Sequence, residues 1–312
     1  MWAFFIRRLL QGVPILFGVS LVVFLLVRLM PGDPVDLLIP AEAPRAVAEQ
    51  LRARFGLDQP LYVQYILWLK NVIQGDFGVS IFTLQPVAPE LFSALKNTLK
   101  IAIYATILGF GVGSILGTLS AINYGKPLDK IFSAIAIAGV SLPHFWIGMV
   151  LVAIFSAHFN LLPAQGMAPP EAGFIAGIKH LLLPVITLSL IPIGVVSRVS
   201  RASILDVKSL DFVDTLRAKG LLEKRVMIHI IKNAAPPILA VMGLQFGYML
   251  GGSILIETVF NWPGAGNLLN LAIFRRDIPT LQATILVLAA IFVIVNILVD
   301  ILQALIDPRI RR

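Results

Sequence analysis

The 312-residue chain contains no cysteine and little charge, with Asp, Glu, Lys and Arg making up only 13% of it. Without thiols there is no disulfide framework, no thiolate nucleophile and no cysteine-ligated zinc or iron–sulfur site. A thiol-free chain is compatible with either redox environment. Soluble domains run near 25% charged, so this chain carries about half the usual polar coat. The four histidines, His144, His158, His180 and His229, never form an i, i+4 pair, and no metal site is expected from them. No Gly-x4-Gly-Lys-[Ser/Thr] phosphate loop occurs, so the chain is not expected to bind or hydrolyse ATP itself. No nucleophile or acid–base set converges at one depth, and no catalytic residue or cofactor is expected.

What the chain has in abundance is apolar sequence: 58% of its residues, with a mean hydropathy of +0.89. Six runs are long enough to cross about 30 Å of hydrocarbon. They lie at Leu9–Met30, Leu99–Ile122, Ile131–Ala157, Leu181–Arg198, Ala235–Ile256 and Gln282–Ile306. Barrel strands would be about ten residues of alternating polarity, whereas these runs are apolar on every face. The fold class is therefore all-α, a polytopic membrane protein with six transmembrane helices. Arg7 and Arg8 imitate the charged start of a signal peptide. The run behind them is too long for one, however, and ends in Pro31-Gly32-Asp33-Pro34 rather than a small-residue cleavage site. It reads as a retained first membrane helix.

The formal charge of +8 is spread by topology. Arg7, Arg8, Lys126, Lys130, the series from Arg198 to Lys232, and Arg309, Arg311 and Arg312 fall on one side. That side is cytoplasmic by the positive-inside rule, as are both termini. No single basic patch remains for nucleic acid. The tryptophans and tyrosines fall mostly at span ends or in the outer segment, as an interfacial belt would.

Three regions follow: residues 1–30, a cytoplasmic start and first membrane helix; 31–98, an outer segment; and 99–312, a core of five membrane helices with a cytoplasmic loop at 199–234. In the outer segment, Arg45–Phe55 has the composition of a short charged helix stopped at Gly56. Leu61–Ile73 is a second, with Leu61, Tyr65, Trp68 and Val72 on one face. It is too short to span, so it is expected at the interface or on the outer mouth of the bundle, as scaffold or as gate.

The loop from Arg198 to Ala234 is polar and helix-forming, split by Gly220. Asp211–Lys219 reads as a short helix, acidic in its first turn and basic in its last, which suits the helix dipole. Gly220 can take the left-handed conformation that ends it. Leu222–Asn233 reads as a second helix, handed over to the fifth span by Pro236 and Pro237. Two short helices about a glycine make a protruding knob, a partner-docking element or a plain structural hairpin.

Asp214-Thr215-Leu216-Arg217-Ala218-Lys219-Gly220, with Ile230 and then Lys232-Asn233-Ala234-Ala235-Pro236, resembles the EAA loop of ABC-importer permeases. That pattern is Glu-Ala-Ala, three residues, Gly, nine residues, Ile. Gly220 and Ile230 hold the spacing, while Asp214, Thr215 and Leu216 replace Glu-Ala-Ala. Further segments resemble the peptide-transporting branch: Met30–Pro34, Ser141–Trp146, Leu183–Leu188, Phe260–Gly264 and Asp307–Arg311.

The resemblance implies a type I ABC-importer permease subunit of the bacterial inner membrane, forming half of a pathway for dipeptides, oligopeptides or glutathione. The implied partners are a second homologous permease, two cytoplasmic ATPases that hold ATP and Mg, an extracytoplasmic solute-binding protein, and membrane lipid. Asp214, Thr215, Leu216, Ala218, Lys219, Gly220 and Leu221 would couple to an ATPase. A nickel chelate is an alternative solute, and an ion-coupled secondary transporter an alternative class. The latter would need acidic groups near mid-membrane, and Asp300 is the only acid read as lying inside a span.

Costly polar residues inside the spans are Gln245, Asn296 and Asp300. Asn296, Asp300 and Gln303 share a face, as an interhelix clamp, with Asp300 reaching a cytoplasmic-end arginine such as Arg198 or Arg201, or as pathway lining. Gly109, Gly113 and Gly117, and again Gly243, Gly247 and Gly251, recur every four residues, a spacing that lets helix backbones approach closely. The first set is expected to pack within the subunit. Gly247 and Gln245 stand as candidate pathway or interface residues.

Overall fold

The structure, a computed structural model, describes residues 2–29, 49 and 58–306. The expected helix at Arg45–Phe55 and the Met30–Pro34 and Asp307–Arg311 motifs lie outside the described residues, apart from Glu49.

Ten α-helices account for most of what is described. They are α1 Trp2–Leu29, α2 Leu61–Ile73, α3 Val87–Ile122, α4 Pro127–Ser141, α5 His144–Leu151, α6 Gly173–Lys208, α7 Asp211–Ala218, α8 Glu223–Val259, α9 Ala265–Arg275 and α10 Ile278–Ile306. α5 continues as a π-helical turn over Val152–His158. Among the described residues the extended pairing is an isolated antiparallel bridge between Val79 and Pro86. Five helices are long and apolar enough to cross a membrane, and six spans result when α4 and α5 count as one bent span.

That bend corrects the reading of Ile131–Ala157 as a plain span: α4 and its successor meet at 98°. Pro143 supplies no amide and forces the residue before it out of helical geometry. Leu142 accordingly sits at φ −101° and ψ 143°. The opposite correction applies at Pro236 and Pro237, which lie inside α8. The helix expected at Leu222–Asn233 is simply its first third. The two prolines withdraw amides from the carbonyls of Lys232 and Asn233, residues exposed in the first third of α8 rather than sealed in the bundle.

The centre of the bundle is the crossing of α3 and α6, and the first glycine series makes it. A Cβ at Gly109 would lie 2.9 Å from Pro192 Cβ, and one at Gly113 would lie 3.0 Å from the Ile193 carbonyl oxygen. At Gly117 it would run into the Ser197 carbonyl. These glycines pack within the subunit, as expected. In the second series, Gly243 and Gly247 face Val299 and Phe292 of α10, while Gly251 faces open space.

Two apolar clusters lie at opposite ends of this crossing. One joins Ile101, Leu183, Leu188, Met249, Ile256, Phe260 and Trp262. The other joins Ala121, Val196, Ile204, Val213, Val226 and Ile230 near α7. Trp262 is fully buried, so it belongs to the core and not to an interfacial belt. Its Nε1 donates to the Asn97 carbonyl at 3.1 Å.

α1 stands at the edge, against α10 and α2. A Cβ at Gly12 would lie 2.8 Å from Val293 Cγ1. α2 forms where the sequence predicts and docks by an aromatic face. Tyr65 and Trp68 ring centroids lie 5.4 and 5.8 Å from that of Phe24, and Tyr65 Oη shares a 2.7 Å hydrogen bond with Ser20 Oγ. The loop after α2 is held to the start of α10 by buried Asp277. It accepts from Ser80 Oγ, from the Ile81 amide at 3.2 Å and from Thr280 Oγ1 at 2.8 Å.

Candidate coupling element and membrane cleft

α7 is a two-turn helix between two long ones, and its termination is a complete Schellman motif. Gly220 has φ +77°, the left-handed region open to glycine without strain. Its amide donates to the Arg217 carbonyl at 2.9 Å, and the Leu221 amide reaches back to Leu216 at 3.3 Å. The side chains of Leu216 and Leu221 both join the cluster around Val213, the hydrophobic contact that accompanies such a cap. Val213 is fully buried and anchors the element to α6 and α8.

This geometry divides the candidate coupling residues. Asp214, Thr215, Ala218, Lys219 and Gly220 are exposed, while Leu216 and Leu221 turn partly inward. Arg217 fixes the helix to the next one, pairing with Glu223 at 2.9 Å and Asp214 at 3.2 Å. The two carboxylates push its already high pKa further up. The result is a rigid, partly charged platform at one end of the molecule.

At the same end a buried charge cluster locks α4 to α6. Arg201 makes a bidentate pair with Asp129, at 2.8 and 2.9 Å. Asp129 also accepts from Ser120 Oγ and the Gly125 amide, and Tyr124 lies 5.3 Å beneath the guanidinium. Asp300, expected to reach an arginine at this end such as Arg198 or Arg201, pairs with a different one, Arg8 of α1, at 3.2 Å. The clamp exists, but it holds the edge helix. Asn296 donates to the Phe292 carbonyl of its own helix at 2.8 Å, a local bond.

A second acid was missed at the opposite end. Glu257 is fully buried in the last turn of α8, so Asp300 is not alone among acids within a long helix. Its Oε2 accepts from the Gly266 and Asn267 amides at 2.7 and 3.0 Å, capping the first turn of α9. A glutamate shortly before Asn261-Trp262-Pro263-Gly264, where a helix must turn back, is the signal that could have found it.

Midway along the bundle lies a cleft of about 590 Å³ lined by His144, Leu188, Pro192, Gln245, Tyr248 and Phe292, among others. Gly247 and Gly251 form part of its wall. Gln245 is 6% exposed, and its Oε1 has no hydrogen-bond partner among the described residues. The structure thus brings Gln245 and Gly247 together at one cleft, with Asn296 and Asp300 outside its lining. No group of three metal-ligating side chains occurs among the described residues.

Residues 113–312 match the model of the binding-protein-dependent transport system inner membrane component, and residues 1–101 match its N-terminal companion. The chain is 41% identical to the glutathione transport system permease protein GsiC of Escherichia coli K12 over 98% of both chains. The same figures hold for GsiC of Shigella dysenteriae serotype 1. Among solved structures, the MetNI methionine ABC transporter superposes with a TM-score of 0.57 at 16% identity, over 70% of this chain and 96% of that one. An amino acid ABC transporter gives 0.51 at 20%, over 71% and 94%. The fold is thus that of ABC-importer permeases, and the chain belongs to the family of inner-membrane permease components of binding-protein-dependent transport systems.

Proposed function

We propose that this permease subunit imports small peptides, glutathione among them, and that α7 transmits the work of separate ATPases to the membrane helices. The observation that carries the coupling role is the rigid presentation of Asp214, Thr215, Ala218 and Lys219, fixed by the Gly220 cap and the Arg217 clamp. A helix so braced moves as one body with α6 and α8, which is what a mechanical coupler needs. The peptide class is supported by full-length identity to GsiC. In this reading the α7 end and both termini are cytoplasmic, in keeping with the concentration of Lys and Arg there. A homologous second permease completes the pathway, two ATPases supply bound ATP and Mg, and a solute-binding protein docks on the outer segment, residues 31–98.

The test is reconstitution of the chain with its partner permease, ATPases and binding protein. Expected are co-purification of the ATPases and ATP-dependent uptake of labelled glutathione or dipeptide. Uptake by the chain alone, driven by an ion gradient, would contradict the reading.

A further inference from the structure

The break between α4 and α5 leaves non-helical backbone in the middle of an apolar run. In a bilayer such backbone persists only where protein buries it or a watery cavity bathes it. Here Ser141, Leu142 and Pro143 are exposed on the subunit, and no side chain caps the start of α5. The cleft reaches the residue directly after the break. His144, the first residue of α5, lines it together with Gln245 from the facing wall. The His144 ring approaches the Gly252 backbone, but its Nε2 makes no hydrogen bond of normal geometry among the described residues. Gln245 Oε1, on a side chain only 6% exposed, is likewise unmet. An acceptor left unsatisfied in an apolar wall is costly. Neither an acyl chain nor an apolar helix face would satisfy it.

We propose that this cleft is a solute-contact station on the import pathway, built for the amide and carboxylate groups of a small peptide. Gln245 Oε1 accepts from a peptide N–H or terminal ammonium. The Trp146 and Ile147 amides are taken by the Pro143 carbonyl, so it is the His144 and Phe145 amides, at the positive end of the α5 dipole, and the imidazole of His144 that receive the carboxylate. The apolar lining from Leu188, Tyr248 and Phe292 holds side chains without selecting among them. This inference rests on the peptide-importer reading above.

Because the chain has no cysteine, thiols introduced by Gln245→Cys and His144→Cys are unique to it. In the assembled importer, reconstituted in vesicles with ATP and peptide-loaded binding protein, both thiols are expected to react with a small charged methanethiosulfonate. Reaction is read by the mass of this chain. Saturating peptide is expected to slow it about tenfold, while the thiol of Ile107→Cys, on an exposed apolar face, stays unreactive. Gln245→Leu should lower peptide uptake about tenfold, the effect of one lost hydrogen bond, while assembly and ATP hydrolysis persist. Thiols as unreactive as that of Ile107→Cys, shielding by the second permease alone, or unchanged uptake by Gln245→Leu would overturn the station. Absence of protection in an importer that does carry peptide overturns only this inference. Protection by a non-peptide solute alone would overturn the peptide reading with it.

Discussion

Asp129 and Asp300 show how differently two membrane-end carboxylates can matter. The Asp129 side chain is 7% exposed and receives both arms of Arg201, so removing one partner leaves a buried charge unmet. Asp129→Ala should cost about 3 kcal/mol, seen as a lowered unfolding midpoint in detergent, and adding Arg201→Met should restore part of it. Asp300 and Arg8 are 27% and 38% exposed, and Asp300→Asn should cost under about 1 kcal/mol in the same assay. A gap of that size is easily resolved. The sequence announces that Asp300 needs a cation but not which one. Several arginines share that end of the molecule, and helix packing alone decides that Arg8 takes Asp300 while Arg201 takes Asp129.

At the scale of elements, glycine spacing separates walls from open faces. Gly117 meets the backbone of α6, whereas Gly111, six residues earlier on α3 and on another face, has nothing within 4 Å of where a Cβ would point. Gly117→Leu should therefore cost at least about 1–3 kcal/mol by overpacking, and Gly111→Leu should leave the midpoint within about 0.5 kcal/mol of wild type. Deleting α2 should spare membrane insertion, because it touches α1 through a few aromatic contacts, yet abolish peptide uptake if it covers the pathway mouth. Normal uptake would make it a brace for α1 alone.

Length, periodicity and local caps made much of this legible. The α2 boundaries and the left-handed Gly220 follow from residues within a few positions of each other. Proline was the weaker guide. Pro143 breaks a run that otherwise reads as one span, while Pro236 and Pro237 sit inside a continuous helix. What decides between these outcomes is whether the freed carbonyls find water or neighbours, and that is a tertiary fact. Trp262 and Glu257 were opaque for the same reason: their burial depends on how the α8–α9 turn folds back onto α3.

For the whole molecule, the account stands on α7 acting as the mechanical link between ATP hydrolysis and movement of α6 and α8. Gly220 is the residue through which that link can be loosened without touching the bundle. Nothing lies within 4 Å of a Cβ placed there, so Gly220→Val meets no steric wall and suffers only from its φ of +77°. The local cost is about 1–2 kcal/mol, too little to unfold six lipid-embedded spans but enough to undo the cap that aligns Asp214, Thr215, Ala218 and Lys219. The decisive measurement is paired, in vesicles carrying the complete importer with Gly220→Val in this chain: peptide uptake, and the ATPase rate stimulated by loaded binding protein. The account predicts normal membrane insertion, lost uptake, and either released ATPases or hydrolysis no longer stimulated. Uptake and stimulated hydrolysis both at wild-type levels would contradict it.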